Sequence, residues 1–220
     1  MKIFVVNLKR RPDRLEQFYK RCPFEKSIIE IVYGFDGKNP DKEKEKERSL
    51  FNDKFSKLKL NGGVKGCFIS HMRIWKKIVD QNIPYAIVFE DDAQFNVNFM
   101  NIYNNMTLPE NFNIIYLGGR FNDNFTMSDE TIKEKINGNG VNLITHNFKT
   151  DNNMYHERTT HAYIISNKLA RFYLDLINIS YPTIEVDKFM VDVLKKLDLP
   201  MHSINPLVCW SPMISDSDIR

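Results

Sequence analysis

The stretch Tyr85-Ala86-Ile87-Val88-Phe89-Glu90-Asp91-Asp92 decides the fold. A short unbroken apolar run closed by polar residues fits a strand buried on both faces, the pattern of a parallel sheet. In open α/β sheets, ligands collect just beyond the carboxyl ends of the strands. Three consecutive carboxylates at such a place repel one another unless solvent, a cation or cationic side chains offset their charge. Hard divalent ions such as Mg²⁺ and Mn²⁺ take carboxylate oxygens, often with phosphate supplied by the substrate. The stretch therefore predicts a strand-end acidic site able to hold a metal and, through it, a phosphate. The competing reading is a solvated turn, since charge runs usually face water.

On the N-terminal side, Lys2 to Leu8 predicts a first strand, followed by Lys9, Arg10 and Arg11. Pro12 and Asp13 open a helix carrying Leu15, Phe18 and Tyr19, since proline fits a first helical turn. A strand end followed by basic residues suits a nucleotide, or else is a solvated helix start. Ile28 to Tyr33 predicts a second strand, and the charge-dense Asp41 to Arg48 an exposed helix or mobile segment. The glycines of Gly62-Gly63-Val64-Lys65-Gly66 can bring backbone close to a ligand before a helix begins. Phe68, Met72, Trp75 and Val79 then keep helical spacing over about 67 to 80, with Ser70 and His71 in the first turns. A histidine there is more often a hydrogen-bonded structural residue than a chemical one.

Beyond the acids, Phe95, Phe99, Ile102 and Tyr103 predict a helix, and Asn113 to Leu117 another buried strand. Residues 121–158 are polar, lack sustained periodicity and are expected to form loops or short elements facing an acceptor. Thr159 to Ser166 predicts a strand, with Asn167 capping the helix after it. Glu185-Val186-Asp187-Lys188 opens a further helix through Leu197, and His202 to Trp210 is a last extended segment. Strands alternating with helices predict a mostly parallel α/β sheet in one domain spanning 1–220. Its donor-binding half covers roughly 1–120 and its acceptor-facing half roughly 121–220.

Composition excludes several classes. A net charge of +3, with no basic block interleaved with aromatics, argues against nucleic acid. Cys22, Cys67 and Cys209 lie far apart without a CxxC, so neither a zinc ribbon nor a disulfide framework is indicated, and the apolar neighbours of Cys67 and Cys209 read as those of buried thiols. No apolar run approaches the roughly 18 residues needed to span a bilayer, and the N-terminus turns basic too soon for a signal peptide. The chain is expected to be soluble, cytoplasmic or membrane-peripheral, and could equally be a domain of a longer protein.

Several stretches together resemble glycosyltransferase family 25, which includes bacterial lipooligosaccharide galactosyltransferases and collagen hydroxylysine galactosyltransferases. They are Val6-Asn7-Leu8-Lys9-Arg10-Arg11-Pro12-Asp13-Arg14, Gly66-Cys67-Phe68-Ile69-Ser70-His71 with Ile74-Trp75-Lys76, and Phe89-Glu90-Asp91-Asp92. Ile114 to Gly118, Thr160 to Ser166, Val186-Asp187-Lys188-Phe189 and Ser217-Asp218-Ile219 continue the likeness in order. The wording around Gly66 to Trp75 and at Val186 to Phe189 is closer to the collagen-modifying branch. One departure is Val64, where the family usually carries an acid two residues before Gly66.

The resemblance implies a GT-A fold, Rossmann-like in its nucleotide-sugar binding. It also implies a UDP-sugar donor, a glycan or hydroxylysine-containing protein acceptor, Mn²⁺ (with Mg²⁺ as substitute) and inversion at the anomeric carbon. On that footing Asp92, with Asp91, is expected to hold the metal and Glu90 to orient its neighbours. Asn7, Arg10 and Arg14 are candidate nucleotide contacts, with Gly66 and Ser70 near the ribose or uracil. Asp187, then Glu185, is the candidate base for the acceptor hydroxyl; the competing reading is an acid stabilised by a helix dipole. Asp216 and Asp218 are candidates to close over the donor or add a metal contact, with His161 and His202 as alternative ligands. A metal-dependent phosphohydrolase and a silent sugar-nucleotide- or partner-binding protein are the readings from other classes.

Overall fold

The computed structural model describes residues 1–38, 60, 62–119, 142–146, 159–180, 182–205 and 208–211. The charged run Asp41 to Arg48, most of 121–158, and the tail with Asp216 and Asp218 lie outside the described residues. The elements in chain order are β1 (Lys2–Asn7), α1 (Pro12–Arg21), β2 (Ile29–Tyr33), α2 (Gly62–Asp80), β3 (Tyr85–Glu90), β4 (Gln94–Phe95), α3 (Phe99–Asn104) and β5 (Ile114–Tyr116). They continue with β6 (Gly118–Gly119), β7 (Asn142–His146), β8 (Ala162–Ser166), α4 (Asn167–Ile179), α5 (Val186–Lys196), β9 (Met201–Asn205) and β10 (Cys209–Trp210).

Seven strands form one sheet in the order β2-β1-β3-β8-β5-β9-β7. β1 runs parallel to β2 and β3, and β5 parallel to β9, while β8 and β7 pair antiparallel with their neighbours. Five of the seven strands therefore point the same way, the mostly parallel α/β sheet the sequence predicts. Strands from before and after residue 120 share this sheet. The alternation of β3 shows why its apolar run is continuous. Ala86 and Val88 pack on one face with Phe68, Trp75, Tyr173 and Phe189 of α2, α4 and α5. Ile87 and Phe89 pack on the other with Phe18, Phe99 and Ile102 of α1 and α3. Both faces are covered, so neither parity of the strand can be polar.

The connection from β1 through α1 leads to β2 on one side of β1, whereas β3 lies on its other side. The strand order thus reverses between β1 and β3, where the carboxyl ends of adjacent parallel strands open a crevice. Asn7 ends β1 and Glu90-Asp91-Asp92 leaves β3, so both signals from the sequence converge there.

Three expectations about elements are corrected. α2 starts at Gly62, not near residue 67, so the glycines are its first turns and not a loop before it. The reason is contact: a Cβ on Gly66 would lie 2.7 Å from the Phe35 carbonyl oxygen, so only glycine lets the helix approach the β2 exit. Gly66→Ala should cost about 1–3 kcal/mol in chemical denaturation, the usual penalty of overpacking a contact with backbone. Second, the cap of α4 is Ser166, whose hydroxyl accepts from Leu169 N at 3.2 Å; Asn167 instead donates to the Ile78 carbonyl near the end of α2 and to the Ile83 carbonyl just beyond it. Third, the extended segment His202 to Trp210 is two strands, β9 in the main sheet and β10 in a small sheet ordered β4-β10-β6.

Candidate functional site

The crevice deepens into a cleft open to solvent. Its walls carry Asn7 from β1, Arg10 from the turn after it and Arg14 from α1, Gly66 and Ser70 from α2, and Glu90, Asp91 and Asp92 from the end of β3. These candidate donor and metal residues therefore meet in one place, from segments up to 85 positions apart, whereas His161 and His202 do not line the cleft. Asp187 and Glu185 do not line it.

Arg14 is the hub. Its guanidinium pairs with Asp91 and lies 3.3 Å from Asp92 Oδ2. The second Asp91 oxygen accepts from Asn7 Nδ2 at 2.8 Å, and Asn7 also donates to the Arg11 carbonyl at 2.9 Å. Arg21, two helical turns beyond Arg14 on α1, donates to the Asp91 carbonyl at 3.1 Å. Both Asp91 side-chain oxygens are thus engaged by the protein. Asp92 differs: its Oδ1 is buried and receives no hydrogen bond. Burial first, and then the charge of Glu90, push the Asp92 carboxyl up to about 7, with Arg14 pulling the other way. Burial also raises Asp91, opposed by Arg14 and Asn7. A desolvated, under-compensated carboxylate oxygen on a residue of the cleft wall fits a divalent cation, which would supply the missing partner. The donor set therefore fits Mn²⁺ or Mg²⁺ at Asp92, with Asp91 holding Arg14 in place.

Glu90 is held from behind. His71 Nε2 lies 3.2 Å from Glu90 Oε1, and His71 Nδ1 lies 2.8 Å from the Tyr163 hydroxyl. Trp75 Nε1 donates to that hydroxyl at 3.3 Å, leaving the Tyr163 proton for His71 Nδ1 and the His71 Nε2 proton for Glu90. Burial works to raise Glu90, but its hydrogen bonds from His71 and Thr160 outweigh it and keep the carboxyl below the usual range. His71 itself is fully buried, the structural placement expected of it. Tyr163→Phe should leave both His71 Nδ1 and the Trp75 N–H without this partner and cost about 1–3 kcal/mol, read from thermal unfolding.

Ser70 faces the cleft with its hydroxyl already engaged, donating to Gly66 O at 2.6 Å and accepting from Phe35 N at 2.9 Å. Arg10 pairs with Asp36 at 2.9 Å on the β2 side. Asp187, in the first turn of α5, is half-buried and accepts from Lys188 N at 2.9 Å. Its charge reaches the Cys67 thiol, itself on the cleft wall. Glu185 is exposed and paired with Lys188 at 3.1 Å. His161 contacts Thr159, and His202 pairs with Thr145 at 3.0 Å across β7 and β9. Sequence reasoning missed Arg21, Phe35, Asp36 and Tyr163. The i, i+7 spacing of Arg14 and Arg21, on one helical face, was the available signal for the first.

Among the described residues, no helix is long and apolar enough to cross a membrane. A family model described as glycosyltransferase family 25 (LPS biosynthesis protein) matches residues 1–190. Human procollagen galactosyltransferase 2 is 30% identical over 126 residues, which cover 53% of this chain and 20% of that protein. Procollagen galactosyltransferase 1-A of Xenopus laevis is 32% identical over 130 residues, 53% of this chain and 21% of its own length. A probable inactive glycosyltransferase 25 family member 3 from Bos taurus is 31% identical over 102 residues, covering 44% and 17%. The chain thus spans about a fifth of the length of the curated relatives it matches.

Proposed function

The chain belongs to glycosyltransferase family 25, and we propose that it transfers galactose from UDP-galactose to an acceptor hydroxyl, that of a collagen-type hydroxylysine. A glycosyltransferase of this family draws on a nucleotide-sugar donor; galactose, the acceptor, the metal and the stereochemistry are our reading. The observation that carries it is the unpartnered Asp92 oxygen beside Arg14, at the strand-order reversal where a diphosphate would lie. The relatives named as procollagen galactosyltransferases support the donor and acceptor.

In this reading Asp92 holds the metal through Oδ1, and Asp91 keeps Arg14 turned toward the cleft. Glu90, fixed by His71, sets the negative potential that draws the cation in. A bound Mn²⁺ or Mg²⁺ would neutralise charge on the departing diphosphate. Asn7 and Arg10 orient the nucleotide, and Gly66 and Ser70 shape the wall against its ribose or uracil. Asp187 takes the proton of the attacking hydroxyl as it displaces UDP in line, with inversion. Glu185 is the weaker candidate, since Lys188 already occupies its charge. Asp218 and Asp216, if they close over the donor, do so from outside the described residues.

The test is UDP release from a panel of UDP-sugars with Mn²⁺, with and without EDTA. Each donor is offered alone, with a hydroxylysine-containing collagen peptide, and with a lactose- or GlcNAc-type acceptor. Release from UDP-galactose that depends on Mn²⁺ and rises only with the peptide is the expected result. Stimulation by the saccharide instead would move the acceptor to the lipooligosaccharide type. UDP and Mn²⁺ binding without any turnover would favour the silent reading, which the probable inactive relative keeps in view. Free phosphate as product would indicate a phosphohydrolase.

A further inference from the structure

We propose that Cys67, His71 and Glu90 form a second cation site in the cleft, one that takes a borderline ion such as Zn²⁺ and, when filled, inhibits transfer. The ligand atoms of these three residues lie within 4.8 Å of one another. Cys67 and His71 are four residues apart on α2, so one helical face presents both, and Glu90 meets them from the end of β3. Tetrahedral zinc with bonds of about 2.0–2.3 Å sets its donor atoms about 3.4–3.6 Å apart. His71 Nε2 and Glu90 Oε1 already stand at 3.2 Å, so the adjustment falls on the Cys67 side chain.

The surroundings fit a cation. Burial first, and then the charges of Glu90, Asp187 and Asp92, push the Cys67 thiol well above its ordinary value, and a bound cation would offset those charges. Tyr163 supplies the outer contact a metal-bound histidine requires, 2.8 Å from Nδ1. Coordination takes the thiol proton, which is released to solvent. His71 then carries its hydrogen on Nδ1, donating to the Tyr163 oxygen, whose own O–H rotates away from the ring, and offers Nε2 to the metal. Three protein ligands leave a fourth position toward the cleft, for water or a donor oxygen. The donor set also separates this site from Asp92: thiolate and imidazole select Zn²⁺ or Co²⁺, while carboxylate alone suits Mg²⁺ or Mn²⁺. Inhibition follows because Glu90 exchanges its His71 hydrogen bond for the metal, and the charge it exerts on Asp92 is then offset. Binding at this site does not depend on the proposed transferase reading; its inhibitory consequence does.

Cobalt reads the site without reference to activity. With Mg²⁺ in large excess to occupy carboxylate-only sites, Co²⁺ added to the chain should give a near-ultraviolet thiolate-to-cobalt band and visible bands of tetrahedral intensity. One equivalent of Zn²⁺ should abolish them. The bands should be absent from Cys67→Ser. The unaltered chain gives a second readout: Zn²⁺ should slow iodoacetamide labelling of Cys67 about tenfold or more while sparing Cys22. Octahedral-type cobalt spectra without a thiolate band, or unchanged Cys67 labelling, would overturn the site. In donor turnover with Mn²⁺, low Zn²⁺ should inhibit the unaltered chain more than Cys67→Ser. Equal inhibition would overturn the regulatory part while the spectra still decide the site. No turnover with any donor would count against the transferase reading, again leaving the cobalt result to stand on its own.

Discussion

Asp92→Asn should cost about two to three orders of magnitude in sugar transfer, the scale of losing one charge-stabilising partner of a transition state. It should also stabilise the metal-free protein at pH 8. The two effects share a cause. Asp92 is pushed up to about 7 by burial and by Glu90, from an ordinary value of 3.8. Its folded-state value lies above the unfolded one, so between about pH 4 and 7 the folded chain keeps a proton that the unfolded chain has released. Over that window stability falls as pH rises, and above about 7 the full penalty of a desolvated carboxylate remains. The asparagine variant avoids the penalty, because an amide matches the neutral form the fold prefers. Some of the gain is lost with the Arg14 contact, which spans 3.3 Å. Thermal unfolding without metal at pH 5 and pH 8 checks the sign: the gap between the two proteins should widen at the higher pH. Mn²⁺ should raise the melting temperature of the unaltered chain at pH 8 and leave that of Asp92→Asn nearly unchanged. A variant less stable at pH 8, or one that still gains from Mn²⁺, would remove Asp92 from the metal's coordination shell.

That coupling explains which features could be read from sequence. β3 was legible because a strand covered on both faces must be apolar at every position, and its acids stand out against that run. The meeting of Asn7, Arg14 and Asp92 followed from a rule of topology: adjacent parallel strands share their carboxyl edge. The small sheet of β4, β6 and β10 was not legible, since two-residue strands have no period to detect. β7 was missed for a different reason. Asn142 and Thr145 break the apolar pattern, and the strand forms through pairing with β9. Helix propensity misled at Gly62 to Gly66, where tight approach to the Phe35 carbonyl outweighs the conformational freedom glycine gives up. The Trp75–Tyr163–His71–Glu90 chain joins α2, β8 and β3 across as many as 92 positions, and no local spacing encodes it. His71 alone read correctly as structural; that it braces an acid of the cleft needed the fold.

Asp187→Asn should lower kcat by about 10²–10⁴, the range for a positioned general base, while leaving Mn²⁺ and UDP binding nearly intact. The two acids before and inside α5 differ in ways that make the comparison informative. Glu185 is exposed, and its own backbone N–H, then Lys188 at 3.1 Å, hold its carboxyl below the usual range. A carboxylate so stabilised is a poor proton acceptor. Asp187 sits on the buried side of the same turn, on a helix anchored by Phe189 against Phe68 of α2 at 5.2 Å. That packing fixes the first turn relative to the cleft wall, which a base needs if it is to meet an acceptor hydroxyl in line with the leaving group. Glu185→Gln should therefore keep near-normal turnover. The discriminating measurement is single-turnover transfer at saturating UDP-galactose and acceptor, with UDP affinity measured alongside by calorimetry. A loss in Asp187→Asn confined to kcat supports the base. A loss traced instead to acceptor KM, with kcat intact, would leave Asp187 as an acceptor contact. Equal losses in both variants would point to the α5 N-terminus as a whole, because both acids would then be acting through the helix and not through one proton.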